Sequence, residues 1–193
     1  MSEFSRGSEW RRWDLHIHTP NTIKNDSFEG ASIEAKWDLF YKNIEEYISD
    51  GTNPLKNIAV IGVTDYLSID NYKKIVSDNK LPRSIKLILP NVEMRIQPMA
   101  KDTPINIHFI FDSAIADSLE SRFFSKLRFP YGTTSFSAAR DELIRLGMEL
   151  NTNADNVTAY KLGISQFIPS LDSIQDVFKD SDLRSSTIVV VSN

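Results

Sequence analysis

Three imidazoles and two carboxylates are placed to do chemistry in this chain: His16, His18 and His108, with Asp65 and Glu93. In the run Trp13-Asp14-Leu15-His16-Ile17-His18-Thr19-Pro20, the period of two of a β-strand sends His16 and His18 to one face and Leu15 and Ile17 to the other. Their Cβ atoms would then stand roughly 7 Å apart, within reach of one cation or of neighbouring cations in a cluster. His108 lies in the apolar run 105–111, where a buried imidazole needs a hydrogen-bond partner or a metal. Asp65 follows the apolar run 58–64 and Glu93 interrupts the run 90–96, so both add hard oxygen donors, and a carboxylate bridges two ions as an imidazole does not. Singly, each residue has a plainer reading: solvated histidines on an edge strand, a turn residue at Asp65, an ion pair of Glu93 with Arg95. Their joint position at strand ends points to a divalent-metal site.

Composition limits the ligand set and little else. The 193 residues are 41% hydrophobic and 25% charged, as in an ordinary globular protein of one domain spanning 1–193. There is no cysteine, so thiolate sites and disulfides are excluded, and imidazole, carboxylate, carbonyl and water remain, which suit Mn, Zn, Fe or Mg. Lys and Arg number 22 against 26 Asp and Glu, and a net charge of −4 does not by itself recruit nucleic acid. Arg6, Arg11 and Arg12 beside Trp10 and Trp13 form a weak basic and aromatic patch that could stack on bases or grip phosphate. No run approaches the roughly 18 apolar residues of a membrane span and the N-terminus lacks an apolar leader, so a cytoplasmic protein without membrane contact is expected.

The elements that must position these residues alternate between strand and helix. After the first strand, 13–19, a polar loop over 21–32 leads to an amphipathic helix over 34–50 with Trp37, Phe40, Tyr41, Ile44, Tyr47 and Ile48 at helical spacing. The near-continuous β-branched run 58–64 predicts a strand buried on both faces, followed by a short helix from Ser68 to about residue 78. Strands over 85–89, with 90–96 as its extension or a new strand, and over 105–111 follow, then a helix from Asp112 or Ser113 to about 127. A turn over 129–134 precedes an amphipathic helix carrying Phe136, Ala139, Leu143, Leu146 and Leu150; two short helices near 157–167 and 171–179 and a buried strand from Thr187 close the chain. This pattern predicts an α/β domain with a parallel sheet, open or barrel-like, and sites at strand ends.

Asp14-Leu-His16-Ile-His18-Thr19, then Ile61-Gly-Val-Thr64-Asp65-Tyr66, then Val92-Glu93 and the strand histidine His108 resemble, in order and spacing, the motifs of the polymerase-and-histidinol-phosphatase (PHP) family of metal-dependent phosphoesterases. More narrowly, the stretch 7–20 with Thr64-Asp65-Tyr66-Leu-Ser-Ile-Asp70 looks like the N-terminal PHP domain of large bacterial proteins that continue into an SMC-like ATPase, the TrlF-like group. The resemblance covers essentially the whole chain and implies a distorted (β/α)7 barrel holding up to three divalent ions at the C-terminal ends of its strands. Two departures stand out. Tyr66 occupies a place where the family usually has histidine, and no histidine follows His108 to supply the later ligands and the closing Asp-x-His motif. These residues would then be the N-terminal portion of an incomplete barrel, with the last strand, Thr187 to Val191, or the first strand at His16 left without a neighbour and Val189, Val190 and Val191 short of part of their cover.

The resemblance implies hydrolysis of a phosphate ester, a monoester or a nucleic-acid phosphodiester. His16, His18, Glu93 and His108 would be ligands, Asp65 a supporting or substitute ligand, and Asp65 and Glu93 the carboxylates at the reacting centre. An associated ATPase would make DNA or RNA the natural substrate class. A second expectation is a degenerate PHP domain serving as a binding or regulatory module, favoured by Tyr66 and the missing downstream ligands. An amidohydrolase-type barrel, which also opens on His-x-His, is a third, but the lysine or further histidines it recruits are not found.

Overall fold

The computed structural model describes residues 11–23, 26–48, 56–100 and 103–192. In chain order these form β1 (Arg12–His18), α1 (Ile33–Ile48), β2 (Ile58–Tyr66), α2 (Asp70–Asp78), β3 (Leu87–Ala100), β4 (Thr103–Phe111), β5 (Arg128–Tyr131), β6 (Thr134–Ser137), α3 (Arg140–Leu150), α4 (Asn156–Gln166), α5 (Leu171–Val177), α6 (Ser181–Ser185) and β7 (Thr187–Ser192). Arg6 and Trp10 of the basic and aromatic patch, and Gly51 and Pro54 after α1, lie outside the described residues.

Five strands make one mixed sheet in the order β1-β2-β3-β4-β7, with a small β5-β6 hairpin apart from it. The expectation of a parallel sheet holds for β1, β2 and β3; β4 and β7 run antiparallel to their neighbours. For β4 the length of the link decides this, because only two residues separate it from β3 and a parallel return needs a crossover of a dozen or more. The sheet is open, and among the described residues no closed barrel forms.

Each face of the sheet has its own packing. All nine residues of β2 are buried, as its β-branched run requires, and Ile61, Val63, Val92, Met94, Ile107, Phe109 and Phe111 belong to the main core. One stripe of α1 (Trp37, Phe40, Tyr41) joins that core, and the Tyr41 hydroxyl donates to Asp78 Oδ2 at 2.8 Å, tying α1 to the end of α2. A smaller cluster, Ala59, Val60, Leu89 and Ile110 with Leu15 against it, accompanies the polar face described below. α3 and α4 touch backbone to backbone: a Cβ on Gly147 would stand 1.8 Å from the Ala159 carbonyl oxygen, and one on Gly163 the same distance from that of Leu143.

Residues 112–127 form no single α-helix. Asp112 caps as expected, accepting from Ala114 N–H, but a 3-10 turn over Ser113–Ser118 and a π turn over Glu120–Phe124 follow. The wider turn lets the consecutive Phe123 and Phe124 both reach the core, which a regular helix face would not. Residues 129–134 are a hairpin around Gly132, whose φ of 59° suits the tight connection, and Phe136 belongs to β6 with the following helix starting at Arg140.

β7 departs from one expectation and meets another: its side chains are not buried, and it stands at the end of the sheet with part of its cover missing. The run Ile188-Val-Val-Val191 reads as a buried strand, yet these four side chains are 42–62% exposed, because among the described residues β7 pairs only with β4. Each forfeits part of the roughly 1.5–3 kcal/mol that full burial supplies, and the free edge is a template for pairing. We expect concentration-dependent light scattering from this chain, abolished by Val189→Lys with Val191→Lys; scattering unchanged by the two lysines would show that the edge is not the adhesive element.

Candidate metal centre

The three parallel strands and β4 place the polar residues by register. Glu93 pairs with His108 across β3 and β4 and with Tyr66 across β2 and β3, while His18 pairs with Thr64, which pairs with Asn91. Register partners share a face, so His18, Thr64, Tyr66, Asn91, Glu93, Asn106 and His108 line one side of the sheet. β1 reaches them through an irregularity: between the pairs Asp14–Ile61 and Ile17–Val63, Leu15 and His16 stand opposite the single residue Gly62. This extra residue is a β-bulge, a feature that re-aims side chains beside active sites. Asp14 Oδ1 accepts from the His16 N–H at 3.3 Å within it, and a Cβ on Gly62 would lie 2.3 Å from the Leu15 carbonyl oxygen. Only glycine admits the bulge at that distance.

His16, Glu93 and His108 each bring a ligand atom to within 4.8 Å of the others. His18 joins them: its Nε2 is 3.0 Å from His16 Nε2, and the His16 ring centroid is 4.8 Å from that of His18 and 4.7 Å from that of His108. With metal–nitrogen bonds of about 2.1 Å, two cis ligands of one ion stand roughly 3 Å apart, so the spacing suits a shared cation. Among the described residues of this group, three ligand-type atoms are buried without a hydrogen-bond partner: His108 Nε2, Glu93 Oε2 and His18 Nδ1. The first two are oriented by their other ends. Asn106 Nδ2 donates to Glu93 Oε1 at 2.7 Å, and the His108 Nδ1 faces Asn91 Oδ1 at 3.2 Å. Unsatisfied buried polar atoms cost about 1–3 kcal/mol each, and a cation is a partner that both accept.

Electrostatics favour the ligand form of His18 and His108. Burial pushes the His18 pKa below its ordinary value, and the neighbouring His16 adds to this while Glu93 opposes it. Burial likewise lowers that of His108, against the pull of Glu93. Neutral imidazoles are the ones that bind metals.

Of the residues expected from sequence, the structure brings together His16, His18, Glu93 and His108 and sets Asp65 apart. Asp65 pairs with Val92, a core residue, and so projects from the opposite face, where it lines a separate cleft of about 480 Å³ with Thr22, Asn71, Arg140 and Tyr160. Its Oδ1 accepts from Thr22 Oγ1 and Tyr66 N–H, both at 3.1 Å, and the carboxylate also accepts from the backbone of Asn71, inside the first turn of α2. This is the work of a junction residue tying the loop after β1 to the end of β2 and the start of α2. Next to it Leu67 adopts the left-handed conformation, φ 49°, and its N–H donates to the Glu93 carbonyl.

Burial pushes the Asp65 carboxyl up from 3.8 to about 7. The folded chain therefore holds this proton where the unfolded chain has lost it. The resulting stability is complete below about 3.8 and is lost as pH rises through about 7. Asp65→Asn, which keeps the accepting oxygen, is expected to flatten the fall in melting temperature across that window and to leave metal affinity at the wild-type value. A large loss of metal binding in this variant would return Asp65 to the centre.

Asp14 and Gly62 stand in the motifs quoted from the sequence without a role of their own, and Asn91 and Asn106 are not singled out there. The signal for the two asparagines was present: each stands in a strand, where Asn is depleted, two residues before a ligand and hence on its face.

No family model matches the chain, and no curated protein matches it. Among solved structures, a provisionally assigned metal-dependent phosphoesterase from Bifidobacterium adolescentis is similar at 12% identity with a TM-score of 0.36, over 94% of this chain. The chain spans 66% of that protein's length. Likeness at this level decides neither family nor chemistry. No helix among the described residues is long and apolar enough to cross a membrane.

Proposed function

We propose that this chain is the metal-binding portion of a PHP-type phosphoesterase, with His16, His18, Glu93 and His108 as ligands to one or more divalent cations. The observation that carries the reading is that His16, Glu93 and His108 each bring a ligand atom within 4.8 Å of the others while His108 Nε2 and Glu93 Oε2 are buried and unpartnered. Mixed imidazole and carboxylate donors suit Mn, Zn or Fe better than Mg. A cation held there supplies Lewis acidity toward a phosphoryl oxygen and lowers the pKa of a water molecule. The chain's own part is to favour the neutral His18 and His108 rings by burial, to hold Glu93 Oε1 through Asn106, and to leave the His16 side open for an incoming phosphate ester. Asp65, on the other face, takes no step. The open β1-β2-β3-β4-β7 sheet would be part of the family's distorted barrel. DNA or RNA as substrate, an SMC-like ATPase as fused or associated partner, and a cytoplasmic setting rest on the sequence resemblance.

A second reading, a PHP-type domain that binds without turnover, is favoured by Tyr66, which stands on the ligand face opposite Glu93 where the family has histidine. One experiment separates the readings. Chelator-stripped protein is titrated with Mn2+ and Zn2+ and assayed on p-nitrophenyl phosphate and bis(p-nitrophenyl) phosphate. Binding with metal-dependent phosphate release supports the phosphoesterase; binding without release supports the module; no binding of either ion refutes the centre.

A further inference from the structure

Asn91 is 1% exposed and makes three polar contacts, one to each neighbour that shapes the site. Its Nδ2 donates to the Leu15 carbonyl at 2.8 Å and to Thr64 Oγ1 at 3.0 Å, and its Oδ1 faces His108 Nδ1 at 3.2 Å. A backbone carbonyl only accepts, so the amide nitrogen must point at Leu15 and the amide oxygen at His108. An amide oxygen also only accepts. His108 must then carry its proton on Nδ1, which leaves the lone pair on Nε2, the buried atom without a hydrogen-bond partner in a residue of the ligand group.

The Leu15 contact acts on the other side of the centre. Leu15 and His16 form the β1 bulge, whose carbonyl has left the regular ladder over Gly62. Asn91, two strands away, reaches across to hold that carbonyl.

We infer that Asn91 is the positioning residue of this centre: one amide fixes the tautomer of His108 and pins the bulge that presents His16. The inference rests on the metal centre proposed for this site, but its first half concerns the metal-free chain. Neither role is met by an aliphatic side chain of the same size, which has no donor for the carbonyl and no acceptor for the imidazole.

Long-range 15N NMR on the metal-free protein, at a pH where the rings are neutral, reads the tautomer directly, and Zn2+ titration reads affinity. Wild-type His108 should show Nδ1–H with an unprotonated Nε2. Asn91→Ala should release the tautomer to Nε2–H and weaken Zn2+ binding 10–100-fold, the range for lost outer partners of ligands. Asn91→Asp separates the two roles: its oxygen keeps the Nδ1–H tautomer, but with no donor for the Leu15 carbonyl its Zn2+ affinity should still fall about tenfold or more. That variant and the wild-type spectrum also decide the matter if Asn91→Ala does not fold. Nε2–H in wild-type His108, or wild-type Zn2+ affinity in Asn91→Asp, would overturn the inference. A wild-type chain that binds no Zn2+ yet shows the Asn91-dependent tautomer would sink the metal reading and leave the tautomer lock standing.

Discussion

Glu93→Gln is expected to weaken Mn2+ or Zn2+ binding by at least about a hundredfold, beyond the 10–100-fold typical of outer partners, and at the same time to raise the melting temperature of the metal-free protein. The two effects have one cause. Glu93 Oε2 and His108 Nε2 are buried acceptors with no donor between them, an arrangement that costs the metal-free fold about 1–3 kcal/mol per atom. An amide in place of the carboxylate keeps the oxygen that accepts from Asn106 and turns an N–H toward the imidazole lone pair, so both groups become satisfied. For a chain of this length each kcal/mol corresponds to roughly 2–4 °C. Calorimetry of the chelated variant and titration with either ion measure the two halves. Loss of both stability and affinity would mean that Glu93 is a structural carboxylate whose place beside the histidines is incidental.

Destabilisation by an unmet ligand set is a property that sequence could suggest but not demonstrate. His16, His18 and His108 were legible because imidazoles flanked by Ile and Phe have few reasons to be there, and period-two alternation puts the first two on one face. The helix α1 and the buried β2 were legible for the same kind of reason, periodicity over enough residues to be unambiguous. Asp65 stands apart from the histidines, which its sequence position does not reveal, because a residue at a strand end looks equally suited to a site or to a junction. Its face follows from the register Asp65–Val92 and Tyr66–Glu93, which depends on how two strands slide past each other. Strand direction was likewise hidden: β4 has the apolar run of a parallel strand, and the short link to β3 becomes visible only once β3 is known to continue through Arg95 to Ala100. In β7 the apolar pattern was read correctly as β, but burial is a relation to neighbours, and Val189 to Val191 have them on one side.

Gly62 connects that hidden register to the chemistry. In the sequence it is one glycine in an apolar run, where it would ordinarily weaken a strand by leaving nothing to pack. In the fold it faces the bulge of β1, and the nearest atoms to a Cβ there are the Leu15 carbonyl oxygen at 2.3 Å, carbonyl carbon at 2.7 Å and Cα at 2.8 Å, all backbone. A methyl group cannot be absorbed by rotating a side chain; β1 itself must move by about an ångström, carrying His16 away from Glu93 and His108 and breaking the hold of Asn91 on Leu15. Gly62→Ala is therefore expected to cost about 3 kcal/mol, the upper end for overpacking, and to weaken Zn2+ binding by about tenfold or more in the fraction that folds. Gly132→Ala provides the comparison. That residue sits at φ 59° with nothing within 4 Å of its Cβ, so the strain there is conformational only, about 1–2 kcal/mol, and lies in the β5-β6 hairpin away from the centre. Denaturant melts and Zn2+ titrations on the two variants should show both proteins destabilised and only Gly62→Ala impaired in binding. Equal affinities would mean that the β1 bulge is not what carries His16 to the metal.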